Sequence, residues 1–186
     1  TTPSDSWDYT ATQKMILADL VIQGKTRKVI MQAPKNGFFY VLDRITGEFL
    51  SAKPYVQMNW ASHIDMNSGR PVETEQANYF DAPKLIFPSM YGGHNWQPMA
   101  FNPNTGLVYI PAIEMAAVFA QQDKAFEYQK GGYNFAINPV FPTANGLKTL
   151  GGGDVTDRSI PTFDVLSAGQ PDSTTRGFLR AWDPVK

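Results

Sequence analysis

Two charged side chains, each in a short distinctive stretch, are the residues most capable of chemistry in this sequence. Asp8 stands in the run Trp7-Asp8-Tyr9-Thr10, and Lys35 stands in Ala33-Pro34-Lys35-Asn36-Gly37. A carboxylate can take a proton from a substrate hydroxyl or bind a divalent cation, and an ammonium can stabilise negative charge that develops on an oxygen. Each also has a structural interpretation, because Trp-Asp pairs occur in turns and a lysine before Asn-Gly is usually an exposed turn residue. Their spacing alone does not choose between the two.

A third stretch, Gly92-Gly93-His94-Asn95-Trp96-Gln97-Pro98, places hydrogen-bond donors in a glycine-rich loop. The Asn95 amide and the Trp96 indole N–H can both meet the oxygens of a ligand. The structural alternative is a loop with an aromatic ring packed underneath. His94 beside a tryptophan is more often a packing residue than a metal ligand, and His63 brings no converging ligand set.

The elements that must position these residues are predicted to be β-strands. The β-rich runs Lys28–Ala33 and Phe38–Leu42 flank the Pro34–Gly37 turn, and Asn-Gly is a strong signal for a tight hairpin. A second turn follows at Asp43-Arg44-Ile45-Thr46-Gly47. Its aspartate is expected to accept hydrogen bonds from backbone N–H groups, and its glycine to supply the positive φ that the turn needs.

This turn-and-strand pattern returns twice along the chain. Asn102 opens a second copy before Leu107–Ile110, and Gly177–Pro184 begins a third; the intervals between Asp43, Asn102 and Asp183 are 59 and 81 residues. Simple repeats of four short strands recur at about 40–50 residues. The copies are therefore expected to carry long insertions, which often build binding sites.

The segments between the copies, 51–98 and 112–176, are predicted to be mostly irregular because they are rich in Gly, Pro and Asn. The one helical candidate is a short stretch within Glu114–Lys130, whose apolar spacing is poor. Gly151–Gly153 and Pro161–Ser173 are loop-like. The sequence as a whole predicts a β-rich fold with long loops.

Composition narrows the functional classes. A net charge of −1 and a pI near 6.1 provide no field for nucleic acid or an anionic membrane, so neither partner is expected. Cysteine is absent, which leaves no disulfide, no thiolate ligand and no Cys-x-x-Cys-His site for haem c in this chain. No apolar run reaches the roughly 18–20 residues of a membrane-spanning helix.

Both ends of the sequence indicate one segment of a longer protein. The chain opens at Thr1, without an initiating Met, directly on the Asp8 stretch. The third copy of the turn stops at Lys186 before any Thr-Gly, and a domain seldom ends inside a hairpin. We therefore expect residues 1–186 to be a single segment that is truncated at both ends.

Three stretches resemble consecutive motifs of the quinoprotein alcohol dehydrogenases, which use pyrroloquinoline quinone (PQQ). They are Asp5–Tyr9, Ala33–Asp43 and Gly92–Pro98, in the order of the family. The resemblance implies an all-β fold, namely a partial segment of about three blades from an eight-bladed β-propeller with long loop insertions. It also implies PQQ and a Ca²⁺ ion near the propeller axis.

The resemblance implies a role for each candidate residue. Asp8 matches the catalytic aspartate, which takes the hydroxyl proton beside the metal that it also ligates, while Lys35, Asn95 and Trp96 match residues that contact PQQ. Lanthanide-dependent relatives carry a second aspartate where this chain has Thr10, so Ca²⁺ is the expected metal. The family's other Ca²⁺ ligands, its vicinal cysteine pair and the tryptophan stacked on PQQ lie upstream and are not in this sequence.

The function implied by the resemblance is PQQ- and Ca²⁺-dependent oxidation of small alcohols to aldehydes or ketones in the periplasm. Hydride would pass to PQQ and electrons then to a cytochrome c or a quinone. The parent protein can carry haem c, although this chain does not support it. The 186-residue segment alone is expected to be inactive. Two alternatives stay open: a non-catalytic β-propeller scaffold that binds proteins, and a quinoprotein dehydrogenase for sugars or polymer alcohols.

Overall fold

The computed structural model describes residues 1–121, 126–132, 134, 137, 139–143, 146–149 and 175–186. These residues form antiparallel strands and no helix, which confirms the prediction of an all-β chain. None of them lies in a helix that is long and apolar enough to cross a membrane. The strands are β1 (Ile16–Ile22), β2 (Lys25–Gln32), β3 (Phe38–Asp43), β4 (Phe49–Pro54), β5 (Ala61–Ile64), β6 (Pro71–Glu73), β7 (Lys84–Ile86), β8 (Ala100–Asn102), β9 (Leu107–Glu114), β10 (Ala117–Phe119), β11 (Val140–Thr143), β12 (Gly146–Thr149) and β13 (Arg176–Trp182).

The strands assemble into four antiparallel sheets. One has four strands in the order β1-β2-β3-β4, and a second has four in the order β12-β11-β10-β7. A three-stranded sheet runs β13-β9-β8, and β5 and β6 form a two-stranded hairpin. The predicted hairpin is β2 and β3, and the predicted third copy is β13, which pairs along its whole length with β9.

Strand β3 is buried on both faces and so joins two cores. Because side chains alternate along a strand, Phe38 and Tyr40 enter one cluster while Phe39 and Val41 enter the other. The first, which we call the aromatic cluster, gathers most of the large rings, namely Trp7, Tyr9, Phe38, Tyr40, Trp60, Tyr79, Phe119 and Phe141. The second packs β2 and β3 against Val108 of β9. Burial of each large apolar side chain contributes about 1.5–3 kcal/mol.

The turn between β3 and β4 forms as the sequence predicted. Asp43 Oδ1 accepts hydrogen bonds from the backbone N–H groups of Ile45 (2.9 Å) and Thr46 (3.0 Å), and Gly47 has φ +78°. The Thr46 and Ile45 N–H groups hold the pKa of Asp43 below its usual value, with Arg27 contributing further. Asn102 caps the next copy in the same way, because its Oδ1 accepts a hydrogen bond from the backbone N–H of Asn104 at 2.9 Å.

A further copy of this turn was not recognised in the sequence. It spans Asp65-Met66-Asn67-Ser68-Gly69, between β5 and β6. Asp65 Oδ1 accepts from the Ser68 N–H at 2.7 Å, and Gly69 has φ +68°. Its signal was the same Asp-x-x-Ser/Thr-Gly pattern, with serine in place of threonine.

Residues 51–98 are mostly irregular, as predicted, although short strands lie among them, and the described part of 112–176 contains more strand than expected. Strands β5, β6 and β7 lie in the first segment, and β10, β11 and β12 in the second. The helical candidate within Glu114–Lys130 was wrong for the residues described, because β10 occupies residues 117–119 and residues 126–130 are not helical. The predicted loops 151–153 and 161–173 lie outside the described residues.

Candidate active site

The segment that carries Asp8 is fixed by the aromatic residues on either side of it. Trp7 and Tyr9 are 4% and 1% exposed, and their rings stack at 5.7 Å between centroids. Trp7 Nε1 donates to the Ala77 carbonyl at 3.0 Å, and the Tyr9 hydroxyl donates to the Pro88 carbonyl at 2.5 Å. Burial raises the pKa of the Tyr9 phenol well above its ordinary value, and the nearby Asp5 carboxylate adds to the rise. The Asp8 backbone is therefore held from both sides.

Asp8 itself turns away from this cluster toward Lys35. Its φ of +63° is in the left-handed region, which few residues other than glycine, asparagine and aspartate adopt readily. The Asp8 Oδ2 atom lies 2.9 Å from Lys35 Nζ. The Asp8 side chain is 42% exposed and that of Lys35 is 11% exposed, so the carboxylate is reachable while the ammonium is largely enclosed.

Lys35 lies in a turn whose backbone is tied down at every residue. The turn of five residues, which we call the lysine turn (33–37), has each of its carbonyl oxygens within hydrogen-bond distance of a donor. The donors are His94 Nδ1 to Ala33 (2.8 Å), the Tyr55 hydroxyl to Pro34 (2.7 Å), Gly93 N to Lys35 (3.0 Å), Trp60 Nε1 to Asn36 (2.8 Å) and Tyr55 N to Gly37 (2.9 Å). Such a turn holds the lysine in one place before any ligand arrives.

Asn36 completes the turn from inside. It is fully buried, its Oδ1 accepts from the Phe38 N–H at 3.1 Å, and its amide nitrogen donates to the Tyr40 hydroxyl at 2.9 Å. Lys35 is only 8% exposed overall, so the interpretation of Lys35 as an exposed turn lysine was wrong. A charged group buried to this extent requires a partner, and Asp8 supplies it.

The glycine-rich loop 92–98 reaches the lysine turn from the other side. His94 is fully buried, with Nδ1 2.8 Å from the Ala33 carbonyl and Nε2 2.5 Å from the Gln97 carbonyl. It is a packing residue, as the sequence predicted. His63 is exposed on β5 and contacts Ser62.

Asn95 and Trp96 follow on the same loop. The Asn95 amide nitrogen donates to the Tyr91 carbonyl at 2.8 Å, and its amide oxygen accepts from the Trp96 N–H at 2.9 Å. Trp96 is 76% exposed, so it is not packed beneath the loop as the structural alternative required. The structure thus brings Asp8 and Lys35 into direct contact and leaves the Trp96 indole open to a ligand.

Sequence reasoning missed the residues that hold the lysine turn. Tyr55 and Trp60 lie beyond β4 in a segment that was taken as irregular, and each donates to a carbonyl of the turn. No short-range pattern links them to Lys35, because the contacts are tertiary. Their only signal was the presence of large aromatics in a polar, turn-rich stretch.

The fold and the site together define a class of protein. Antiparallel four-stranded sheets with short turns are the building blocks of β-propellers, and the Asp8–Lys35 ion pair lies beside the sheet β1-β2-β3-β4. The described residues contain no group of three or more His, Cys, Asp or Glu placed to hold a metal ion.

Comparison with known proteins identifies the family. A family model described as "PQQ: Glucose/ethanol/alcohol dehydrogenase, beta-propeller domain" matches residues 1–52. The quinohemoprotein alcohol dehydrogenase ADH-IIG of Pseudomonas putida is 60% identical over 191 residues, which is 100% of this chain and 24% of that protein. The 1-butanol dehydrogenase (cytochrome c) of Thauera butanivorans is 46% identical over 185 residues, covering 100% of this chain and 24% of the relative. A solved europium-containing methanol dehydrogenase superposes with a TM-score of 0.74 at 31% identity, over 97% of this chain and 27% of that chain.

The chain belongs to the PQQ-dependent alcohol dehydrogenase family and is a partial segment of its β-propeller. This confirms the resemblance seen in the three motifs. The chain spans about a quarter of the length of the relatives that it matches.

The site residues suit an anionic quinone cofactor. PQQ carries carboxylate and quinone oxygens, and the chain offers an ammonium at Lys35 and an exposed indole N–H at Trp96. Asp8 offers a reachable carboxylate beside the ammonium, which a hard cation prefers as a ligand. The donor set therefore fits PQQ, and it fits a divalent cation in part.

Proposed function

We propose that this chain forms part of the active site of a PQQ-dependent dehydrogenase that oxidises small alcohols to aldehydes or ketones. The observation that carries the proposal is the 2.9 Å contact between Asp8 Oδ2 and Lys35 Nζ. A scaffold would have no need of a largely enclosed lysine paired with an aspartate in a strained backbone conformation. Such features cluster at functional sites.

In this proposal Asp8 is the general base. Its carboxylate accepts the hydroxyl proton of the alcohol as hydride leaves the carbon that bears the hydroxyl, and the C–H and O–H bonds are replaced by a carbonyl double bond. Bound PQQ supplies the electron-accepting quinone of the reaction. The exposure of the Asp8 side chain, 42%, is consistent with direct access by a substrate.

Lys35 has two tasks in the same proposal. Its ammonium donates to oxygens of the cofactor and stabilises the negative charge that grows as electrons arrive. It also orients Asp8 through their ion pair. Asn95 and Trp96 are proposed to contact the edge of the cofactor, with the exposed Trp96 indole N–H as the more available donor.

We further propose Ca²⁺ as the metal, with Asp8 as the one ligand from the described residues. The support is Thr10, which brings no second carboxylate two residues after Asp8. A singly charged ligand at this place suits Ca²⁺ better than a more highly charged lanthanide. One similar structure is named as a europium-containing methanol dehydrogenase, so direct comparison of Ca²⁺ with La³⁺ is the appropriate test of this choice.

Electron transfer to a cytochrome c or a quinone completes the proposal. A relative named for 1-butanol and cytochrome c supports both a small alcohol and a haem acceptor. Haem c in the same protein is left open, and a periplasmic location remains a prediction. Because these residues supply one metal ligand and a quarter of the relatives' length, the segment alone is expected to be inactive.

The test compares two aspartates that each follow a tryptophan. Asp8→Asn and Asp183→Asn are made in the natural gene product that contains these residues, and alcohol-dependent dye reduction is measured with PQQ and Ca²⁺. Asp183 accepts from backbone N–H groups at the end of β13, so Asp183→Asn should keep turnover within about 2-fold. Loss of the base should lower kcat by about 100- to 10,000-fold in Asp8→Asn, with PQQ still bound.

Two results would contradict the proposal. Equal turnover in Asp8→Asn and wild type would remove the general base. The scaffold alternative would be favoured if the wild-type gene product showed no alcohol-dependent dye reduction but still bound a partner protein.

A further inference from the structure

Gly92 of the glycine-rich loop lies against the backbone and the first side-chain atoms of Lys35. A Cβ atom added at Gly92 would lie 2.5 Å from both Cβ and Cγ of Lys35 and 2.6 Å from its Cα. These are the near atoms of the lysine and its backbone, which cannot swing away like the end of a flexible chain. The space beside the base of Lys35 therefore exists only because residue 92 has no side chain.

The same loop holds the lysine turn by two further contacts. Gly93 N donates to the Lys35 carbonyl at 3.0 Å, and His94 Nδ1 lies 2.8 Å from the Ala33 carbonyl. The loop is itself anchored, because Ile113 N of β9 donates to the Gly93 carbonyl at 2.8 Å. A displacement at residue 92 would thus be transmitted to the lysine rather than absorbed by the loop.

We propose that the three residues Gly92-Gly93-His94, which we call the lysine seat, set the position of the Lys35 ammonium relative to Asp8 and PQQ. The seat residues are positioning residues, since they act through Lys35 and not on the substrate. This inference rests on the proposed function for its effect on PQQ, but its geometric content concerns Lys35 alone. The two can therefore be tested separately.

The chain provides a matched control for the central substitution. Gly92 has φ +80°, so Gly92→Ala adds backbone strain as well as a clash. Gly47 and Gly106 have φ +78° and +71° with nothing within 4 Å of an added Cβ. Gly47→Ala and Gly106→Ala carry the same backbone strain without the contact with Lys35, so the difference between them and Gly92→Ala reports the clash.

The first readout uses no cofactor. Lysine acetylation of the apo gene product is followed by mass spectrometry, residue by residue. Lys35 should react slowly in the wild type, because it is largely enclosed and paired. Gly92→Ala should raise its labelling rate about 10-fold, and Gly47→Ala and Gly106→Ala should leave it within about 2-fold. If Gly92→Ala folds and the acetylation rate of Lys35 is unchanged, the lysine seat does not position Lys35.

The second readout is the equilibrium affinity for PQQ. Gly92→Ala should weaken PQQ binding about 10- to 100-fold, the worth of a charge-assisted hydrogen bond. When Gly92→Ala is added to Lys35→Met, the further loss should be under about 3-fold, because the ammonium through which the seat acts is already gone. A full additional loss in the double variant would show that residue 92 acts independently of Lys35 and would contradict the inference.

His94 keeps the inference testable where Gly92→Ala does not fold. His94→Leu removes the contacts with the Ala33 and Gln97 carbonyls and adds no side chain at residue 92, and His63→Leu at the exposed histidine of β5 is its control. His94→Leu should raise Lys35 labelling and His63→Leu should not. Equal Lys35 labelling in the two folded variants would overturn the seat. Raised labelling combined with unchanged PQQ affinity in Lys35→Met would support the seat and overturn the proposed role of Lys35.

Discussion

At the scale of single residues, the strained conformation of Asp8 is explained by its neighbours. Trp7 and Tyr9 both point into the aromatic cluster and donate to carbonyls there, at 3.0 and 2.5 Å. The residue between two such anchors must face the other way, and the backbone reaches that geometry with φ +63° at Asp8. The strain is sustained by the packing of the flanking rings.

This conformation predicts an order of stability among variants of Asp8. Asparagine tolerates positive φ about as well as aspartate, glycine tolerates it better, and alanine does not. In denaturant unfolding of the apo protein, Asp8→Ala should be about 1–2 kcal/mol less stable than Asp8→Gly, with Asp8→Asn between them. Equal midpoints for Asp8→Ala and Asp8→Gly would show that the left-handed backbone is not imposed.

The sequence identified Asp8 and Lys35 as candidate site residues, but it could not predict that they contact each other. Asp8 and Lys35 were identified through a family resemblance, since a separation of 27 positions in the sequence fixes no distance in space. That Lys35 is enclosed depends on the loop at Gly92, Gly93 and His94, far along the chain. Local patterns carry no information on such contacts, so the exposed-lysine interpretation could be rejected only from the structure.

At the scale of elements, long patterned strands were predictable and short ones were not. The β2–β3 hairpin has β-branched and aromatic runs on either side of Asn36-Gly37, a turn signal with a clear mechanism. Strands β6, β7, β8 and β10 have only three residues each, which is too short for an alternating pattern to appear. They form because partner strands satisfy their backbone groups, and that is a tertiary effect.

The raised pKa of Tyr40 on strand β3 predicts that the folded protein loses stability at alkaline pH. Burial raises the pKa of Tyr40 to about 12, opposed in part by the hydrogen bond from Asn36. The folded protein thus holds this proton more tightly than the unfolded chain, whose tyrosines titrate near pH ~10. The stabilisation is fully present below pH ~10 and is lost as pH rises from ~10 toward ~12.

The measurement is the urea midpoint of the gene product at several pH values. From pH ~10 to ~12 the wild type should lose up to about 1.4 kcal/mol per pH unit more than Tyr40→Phe does. Tyr128→Phe, at a tyrosine that is 72% exposed, should follow the wild type. Parallel pH profiles for the wild type and Tyr40→Phe would contradict the burial of this phenol.

At the scale of the whole molecule, the described residues form sheets around three clusters of buried apolar side chains, and the candidate site lies on loops and turns that flank these sheets. The lysine turn joins β2 to β3, the lysine seat precedes β8, and the Asp8 segment packs on the aromatic cluster. The segment 51–98 between the repeated turns thus contributes the lysine seat to the candidate site, whereas the lysine turn lies inside the β2–β3 hairpin and the Asp8 segment precedes β1.

Lys35, fixed beside Asp8, is proposed to bind PQQ. The first measurement to make is an equilibrium titration of the apo gene product with PQQ in the presence of Ca²⁺. Lys35→Met is compared with the wild type and with Lys25→Met, at an exposed lysine that begins β2. Lys35→Met should weaken PQQ binding about 10- to 100-fold, and Lys25→Met should change it less than about 2-fold. If Lys35→Met bound PQQ with the affinity of the wild type, or if the wild type showed no saturable PQQ binding, Lys35 would not be a PQQ-binding residue.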